Sequence, residues 1–264
     1  MVVLITGASG GLGTVLGATL VERGLTVYGT MRNPTGKEGD YPFTLLPMEV
    51  TDAASVKACI EEVLRREGRI DALVNCVNQM VIGAFEEQTV DEVRSVFETN
   101  VFGMLRVCQA VLPVMRKQGS GAIVNMSSAG GFIAVPYMSA YTAAKSAVEA
   151  LTESLYHETR HDPIDVVIMQ PVAMAMDRPD TGAHLHMVNA VTADSPSQKV
   201  LARMSEDTAA SRLTPEAVSE RIYRVLTSGK KPLRVPMDRA KQLTLVKRFA
   251  PQAAIDKLID RFVG

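Results

Sequence analysis

Val2-Val3-Leu4-Ile5-Thr6-Gly7-Ala8-Ser9-Gly10-Gly11-Leu12-Gly13 is the stretch whose reading decides the fold. Four aliphatic residues in a row, uninterrupted by anything polar, predict a strand buried on both faces. The glycines that follow predict a tight turn, and the apolar spacing from Leu12 to Arg23 predicts a helix that Gly24 stops. Glycine at such a turn lets a pyrophosphate approach the backbone. The helix N-terminus beyond it offers unpaired N–H groups and the positive end of a dipole. No Gly-Lys-Ser/Thr follows, so the turn is not a P-loop. Thr6, Gly7, Ser9, Gly10, Gly11, Leu12 and Gly13 are therefore candidate cofactor-binding residues.

Outward from this stretch, short β-branched runs alternate with longer amphipathic ones. Strands are predicted at Val2–Ile5, Thr26–Thr30, Phe43–Pro47, Ile70–Cys76, Gly121–Met126, Ile164–Met169 and Leu233–Val235. Between them, helices are predicted from Asp52 to Glu67, Val90 to Lys117, Ala140 to His161 and Thr214 to Ser228. Alternation at this period implies parallel strands with helices on both faces. The expected fold is thus α/β: a Rossmann-type, doubly wound parallel sheet of about seven strands, in a single domain over residues 1–264. Residues 172–212 lack clear periodicity and are too long for an ordinary connection; they read as a substrate lid or a partly disordered insertion.

Composition fits one such domain. Of 264 residues, 47% are hydrophobic, more than a disordered chain carries, and the formal charge of −1 provides no global attraction to nucleic acid. Cys59, Cys76 and Cys108 are odd in number and scattered, as expected of reduced thiols in a cytoplasmic protein. No apolar run is long enough to span a bilayer, and a strand beginning at Val2 leaves no room for a signal peptide.

The second strand bears on the choice of dinucleotide. An acidic residue about 20 positions past the glycines would accept hydrogen bonds from the ribose of NAD(H). Met31 stands there, with Arg32 beside it. An arginine pairs instead with a 2′-phosphate, so NADP(H) is expected over NAD(H). The competing reading makes Arg32 a solvated loop charge and leaves the ribose to Thr30 or Asn33.

A second constellation carries chemistry. In Tyr141-Thr142-Ala143-Ala144-Lys145 the spacing of four residues puts a phenol and an ammonium on one helix face. A nearby cation favours the phenolate and lowers a phenol pKa. Thirteen residues earlier, Ile123-Val124-Asn125-Met126-Ser127-Ser128 reads as a buried strand ending in two hydroxyls. Ligands of parallel sheets bind at such carboxyl ends.

With Thr6, Gly7, Gly11, Gly13, Thr99-Asn100-Val101-Phe102-Gly103, Ser128, Tyr141 and Lys145 in order, the chain resembles the short-chain dehydrogenase/reductase family. The resemblance covers nearly all of it up to the insertion, and more loosely the remainder. It implies a catalytic tetrad of Asn100, Ser128, Tyr141 and Lys145, and an NADP(H)-dependent interconversion of a ketone or aldehyde with an alcohol, in the reductive direction. In it Tyr141 exchanges a proton with the substrate oxygen, Ser128 hydrogen-bonds that oxygen, Lys145 binds the nicotinamide ribose, and Asn100 anchors a relay water. It extends the cofactor contacts to Glu49, Val50, Asn75, Cys76, Tyr141, Lys145, Pro171 and Val172. Three departures stand out. Asn75-Cys76-Val77-Asn78 replaces the usual Asn-Asn-Ala-Gly, Pro171-Val172 replaces Pro-Gly with Met176 in place of a later threonine, and Glu49-Val50 replaces Asp-Val. They leave open a reshaped active enzyme or a non-catalytic NADP(H) sensor; dehydration or epimerisation is a further alternative.

The expected pocket lining is Val77, Ile133, Val135, Met138, Val172, Met174 and Met176, which suits an apolar or ring-bearing substrate. His157-Glu158-Thr159-Arg160-His161 spells a zinc-protease pattern, but Asp162-Pro163 ends the helix at once, no third ligand has the right spacing, and surface histidines with no metal are expected. Asn125-Met126-Ser127 is a chance glycosylation sequon inside a strand. Ala143, Ala144, Ala147 and Ala150 would let a second helix pack closely, so a homodimer or homotetramer is expected. The basic segment 230–264 carries a net +6 against −7 in the remainder, with Leu243, Val246 and Phe249 at helical spacing. Either it touches an anionic membrane or a phosphorylated carrier, or it packs its apolar side on the domain or a neighbouring subunit.

Overall fold

The computed structural model describes residues 1–37, 39–175, 184–187, 194, 195, 197, 198, 200, 202, 206 and 210–263. The elements in chain order begin with β1 (Val2–Thr6), α1 (Gly11–Glu22), β2 (Thr26–Met31), β3 (Thr44–Pro47), α2 (Ala53–Glu67), β4 (Ala72–Asn75) and β5 (Gln79–Ile82). Next come α3 (Val90–Phe97), a π-turn (Glu98–Gly103), α4 (Met104–Gln118), β6 (Gly121–Met126), a 3₁₀ turn (Ala129–Gly131) and α5 (Ser139–Thr159). The chain continues through β7 (Ile164–Gln170), β8 (His184–Met187), α6 (Pro215–Thr227), β9 (Arg234–Pro236), α7 (Ala240–Phe249) and α8 (Gln252–Val263).

Seven strands form one parallel sheet in the order β3-β2-β1-β4-β6-β7-β9. The unbroken apolar strands are explained by burial on two sides. Leu4, Leu73, Ile123 and Val166 pack against α2, α4 and α5, while Val3, Ile5, Val74, Val124 and Val167 pack against Leu16 and Leu20 of α1 and Val218 and Ile222 of α6. The chain winds outward from β1 to β3 and then, from β4, in the other direction. This reversal opens a crevice at the carboxyl ends of β1 and β4, where α/β sheets bind ligands.

Local signals work as the sequence suggests. Asp52 accepts from the Ala54 N–H at 2.8 Å to cap α2, and Thr214 accepts from Ala217 N–H at 3.2 Å to cap α6. Two features differ from expectation. The stretch 90–117 is not one helix: a π-turn separates α3 from α4, because a widened turn adds one residue without interrupting the run of apolar positions. The short strands β5 and β8 form their own parallel pair, Gln79 opposite His184 and Ile82 opposite Met187. Each is too short to stand out in a sequence; they exist by pairing with each other.

A line of buried polar side chains crosses the sheet. Thr6 Oγ1 donates to Asn75 Oδ1 (3.3 Å), Asn75 Nδ2 to Asn125 Oδ1 (2.8 Å), and Asn125 Nδ2 to Thr152 Oγ1 on α5 (3.0 Å). Asn125 is 1% exposed, so the sequon is inaccessible in the fold. Asn125→Leu leaves the Asn75 amide without its short acceptor in a dry interior. A cost of about 1–3 kcal/mol is expected, seen as a fall in Tm of about 2–10 °C. An unchanged melting temperature would show that the line is not structural.

Candidate active site

The glycine turn lies against the ends of β2 and β4. Ala8 N–H donates to Thr30 O (2.8 Å), Thr14 Oγ1 returns to Ala8 O (2.9 Å), and Cys76 N–H reaches Thr6 O (3.2 Å). Gly7 has φ +71°, and a Cβ there would lie 3.0 Å from the Val77 backbone. A Cβ on Gly13 would lie 2.3 Å from Gly7 O, so only glycine lets the helix start this close to the turn. Gly10 caps α1 with no side-chain hydrogen bond, which leaves the first N–H groups of that helix to a ligand.

Thr6, Gly7, Ser9, Gly10, Gly11, Leu12 and Gly13 are thus one continuous cradle at the helix N-terminus. Arg32 is exposed immediately after the last residue of β2, beside that cradle. Glu49 holds its own turn instead, its Oε1 accepting from Thr51 N–H at 3.1 Å and Thr51 Oγ1 at 3.0 Å, and Val50 is buried. Asn75 belongs to the polar line across the sheet. At Asn78, where the family would have glycine, the buried Oδ1 has no hydrogen-bond partner among the described residues.

Tyr141, Lys145 and Ser128 converge. Helix α5 places Tyr141 and Lys145 one turn apart, 9% and 3% exposed, and Lys145 Nζ donates to Met126 O at the end of β6 (2.8 Å). Two residues beyond Met126, Ser128 lies near enough to the Tyr141 phenol to lower its pKa, and it caps the 3₁₀ turn through Gly130 N–H (3.2 Å). A phenol and a hydroxyl brought together in this way can hold one substrate oxygen between two donors.

The electrostatics differ from the sequence expectation. Burial pushes the Tyr141 phenol above its ordinary value, and the nearby Ser128 hydroxyl pulls it part of the way back. Lys145 does not win that contest. Burial lowers its own pKa to about 8, with Cys76 and Glu149 opposing, and its Nζ lies 5.7 Å from the Tyr141 ring centre, committed to Met126. The Cys76 thiol, in turn, is pushed up to about 12 by burial.

Asn100 sits in the π-turn, and its side chain is engaged in both directions. Oδ1 accepts from Gln79 N–H and Nδ2 donates to Gln79 O, each at 2.7 Å. It therefore fixes the start of β5, and with it the register of β8.

The substrate side is partly as expected. Val135 and Met138 pack with Tyr141, together with Ile82, Met80 and Tyr137, which the sequence did not single out. Ile133 is buried, Val77 packs on the α2–α4–α5 core, and Val172 and Met174 pack on the opposite core. Met176 lies outside the described residues, as does most of 172–212. Its two ends meet, however: Ser211 Oγ donates to Ala173 O (2.7 Å) and Ala175 N–H to Leu213 O (2.8 Å). Ala129 N–H donates to Pro171 O (2.9 Å), which ties the start of this segment to the turn after Ser128. Ser197, fully buried, donates to Glu87 Oε2 at 2.7 Å.

Comparison with known proteins decides the family. The pattern described as short chain dehydrogenase matches residues 1–181. The chain belongs to the short-chain dehydrogenase family. Over 170 residues this dehydrogenase is 41% identical to a 3-ketodihydrosphingosine reductase of Bacteroides thetaiotaomicron, covering 64% of this chain and 62% of that relative's length. It is 30% identical over 244 residues to the oxidoreductase BOA17 of Botryotinia fuckeliana, covering 88% and 86% of the two chains. A crystal structure of a short-chain dehydrogenase from Streptomyces avermitilis superposes with a TM-score of 0.83 at 32% identity, covering 97% of this chain and 94% of that one. Family membership supports an oxidoreductase acting on a CH–OH group of a small molecule.

Other groups around the site were not evident in the sequence. Glu149, one turn beyond Lys145, accepts from Gln170 Nε2 (2.9 Å) and Arg234 Nε (3.1 Å), and Arg234 also pairs with Glu153 (2.9 Å). The spacing Tyr141–Lys145–Glu149 is the one signal that was available; Gln170 and Arg234 come from other strands. Among the described residues no cluster of His, Cys, Asp or Glu is arranged to hold a metal; His157 and His161 are exposed, with His161 Nε2 accepting from Arg160.

A pH dependence follows from Lys145. As pH rises through about 8 its ammonium loses a proton, so turnover is expected to fall on the alkaline side. Glu149→Gln removes a carboxylate that favours the ammonium, which lowers the Lys145 pKa and moves that fall to lower pH. A pH profile of kcat/KM for both proteins checks this; a shift to higher pH would contradict it.

Proposed function

We infer that this short-chain dehydrogenase is an NADP(H)-dependent oxidoreductase that interconverts a ketone or aldehyde with an alcohol, in the reductive direction. The observation that carries the reading is the convergence of Tyr141, Ser128 and Lys145 at the carboxyl end of β6, beside the glycine cradle. The cradle fits a dinucleotide: backbone replaces side chains where a pyrophosphate would approach, and the orphaned Asn78 Oδ1 awaits a donor. Thr6 to Gly13 would hold the pyrophosphate, Arg32 a 2′-phosphate, and Lys145 and Tyr141 the nicotinamide ribose. Val50, Asn75, Cys76, Pro171 and Val172 form the surrounding wall. When bound, the dinucleotide supplies the hydride.

The chain's own residues manage the oxygen and its proton. Ser128 donates to the carbonyl oxygen and keeps it in line with Tyr141, whose Oη–H delivers the proton as negative charge grows there. A phenol pushed up by burial is an acid held in its protonated form at neutral pH, which suits reduction. Asn100 acts as a positioning residue: through Gln79 it sets β5, whose Ile82 packs with Tyr141.

The substrate is apolar or ring-bearing, since Met80, Ile82, Val135, Tyr137 and Met138 surround the phenol. The relative from Bacteroides thetaiotaomicron is named for a ketone too, 3-ketodihydrosphingosine. Residues 172–212 would act as the lid, hinged where 173–175 meets 211–213 and fastened by Ser197 on Glu87. Ala143, Ala150 and Leu151 are exposed on α5, which packs beside α3, and would pair with a second copy. Ala144 differs from expectation: it is fully buried in the core, because it faces the sheet on the same helix. Sedimentation is expected to give a dimer or tetramer, and the three free thiols suit the cytoplasm.

The test is turnover of a panel of apolar ketones with NADPH, after NADPH binding has been measured by fluorescence. Reduction of at least one ketone is expected. A protein that binds NADPH and neither reduces any ketone nor oxidises the matching alcohols would be a sensor and would overturn the reading.

A further inference from the structure

Helix α7 carries no acidic residue, and its outer side combines exposed apolar residues with cations. At 100° per residue, Lys241, Leu245, Arg248 and Phe249 fall within an arc of about 100°. Leu245 is 52% and Phe249 73% exposed, and the Arg248 guanidinium lies over the Phe249 ring at 5.4 Å. Other exposed arginines are divided: Arg23, Arg65 and Arg116 pair with Glu220, Glu62 and Asp162, whereas Arg160, Arg212, Arg221 and Arg239 form no ion pair among the described residues. Among the described residues neither Lys241 nor Arg248 forms an ion pair.

The opposite side of α7 is anchored: Ala240 is fully buried, and the helix packs on the 3₁₀ turn that follows Ser128. The next helix, α8, borders the same segment, with Ile259 and Asp260 lining a depression shared with Phe85, Val135 and Tyr137. The two terminal helices thus flank the chain that joins Ser128 to Tyr141.

We propose that the outer face of α7 docks this protein on an anionic lipid bilayer, with Leu245 and Phe249 entering the headgroup boundary and Lys241 and Arg248 on lipid phosphates. Two exposed apolar residues beside two cations, on one arc of an amphipathic helix, is the pattern of an interfacial helix. A second copy of the chain fits poorly, because a two-fold contact sets these cations against themselves. An acidic protein also fits poorly: ten residues present a strip only about 15 Å long, well short of a stable protein interface. A bilayer requires only shallow insertion, and those cations of the basic segment 230–264 that are not already paired, as Lys231 is with Asp165 and Arg234 with Glu149 and Glu153, add to the attraction. Docked in this way, the protein holds the rim of its site next to the membrane.

The experiment is co-sedimentation of the full chain with vesicles of phosphatidylcholine alone or with 30% phosphatidylserine (about one lipid in three). It involves no turnover, so its outcome is independent of the proposed reaction. Binding is expected only with phosphatidylserine, and loss of it in about 0.5 M salt. K241Q/R248Q is expected to lower partitioning about 30-fold and L245S/F249S at least about 10-fold, both with an unchanged Tm. Equal binding to both vesicles, or none to either, would overturn the proposal. So would variants that leave partitioning intact and instead alter the sedimentation coefficient, which would assign the face to a second copy.

Discussion

Replacing Tyr141 by phenylalanine is expected to lower carbonyl reduction about 100- to 10,000-fold, the range over which a positioned general acid acts. The substitution removes one oxygen from a side chain that is 9% exposed and keeps the ring that packs on Ile82 and Met138. Ser128 still caps the 3₁₀ turn through Gly130 N–H, so its hydroxyl is not stranded. The fold is expected to hold within about 1 kcal/mol, and NADPH binding to survive with a small loss, since the glycine cradle lies on another element and Lys145 remains for the nicotinamide ribose that Tyr141 no longer reaches. Steady-state rates and a fluorescence titration check the two halves together. A variant with more than a tenth of the parent rate would remove Tyr141 from the chemistry. A variant that lost NADPH binding in proportion to its rate would make the phenol a cofactor ligand only.

Arg32→Ala is expected to weaken NADPH binding about 10- to 100-fold and to leave NADH nearly unchanged. A bidentate guanidinium–phosphate contact is among the stronger charge-assisted hydrogen bonds, worth about 1.5–3 kcal/mol. Arg32 is exposed, so solvent and salt screen it, and the lower end of that range is expected at physiological ionic strength. Its place is favourable, because Ala8 N–H to Thr30 O binds the glycine turn to β2 just before Met31 and Arg32. Titration of both coenzymes against parent and variant measures the difference directly. If the parent itself binds NADH more tightly, the arginine is a loop charge and the ribose belongs to Thr30 or Asn33.

Much of this site can be read without coordinates because it is built from short-range chemistry. The turn 7–13 needs glycine for steric reasons that act within a few residues, and Gly13 next to Gly7 O is such a case. Tyr141 and Lys145 share a face by helix geometry alone. The groups that sequence reading missed are held by partners far along the chain. Glu149 depends on Gln170 and Arg234, Glu87 on Ser197, and Gln79 on Asn100. The sign of the Tyr141 shift was missed for a related reason. Spacing shows that an ammonium is one turn away, but the cost of burying a phenolate depends on everything packed around it.

The basic tail shows the same division. Its charge and apolar spacing were legible, including the two fates open to it, but Phe249 faces outward while Leu243 and Val246 are half-buried. Helical spacing alone does not say which side of a two-sided helix meets the core.

By itself, then, the amino-acid sequence determined the parallel α/β sheet, the cradle and the pairing of Tyr141 with Lys145, since steric and periodic constraints act locally. Tertiary structure alone decided the π-turn at Asn100, the β5–β8 pair, the buried cluster at Glu149 and the outward face of α7. Each depends on which distant residues meet and how much water they exclude, and neither quantity is a property of any one segment.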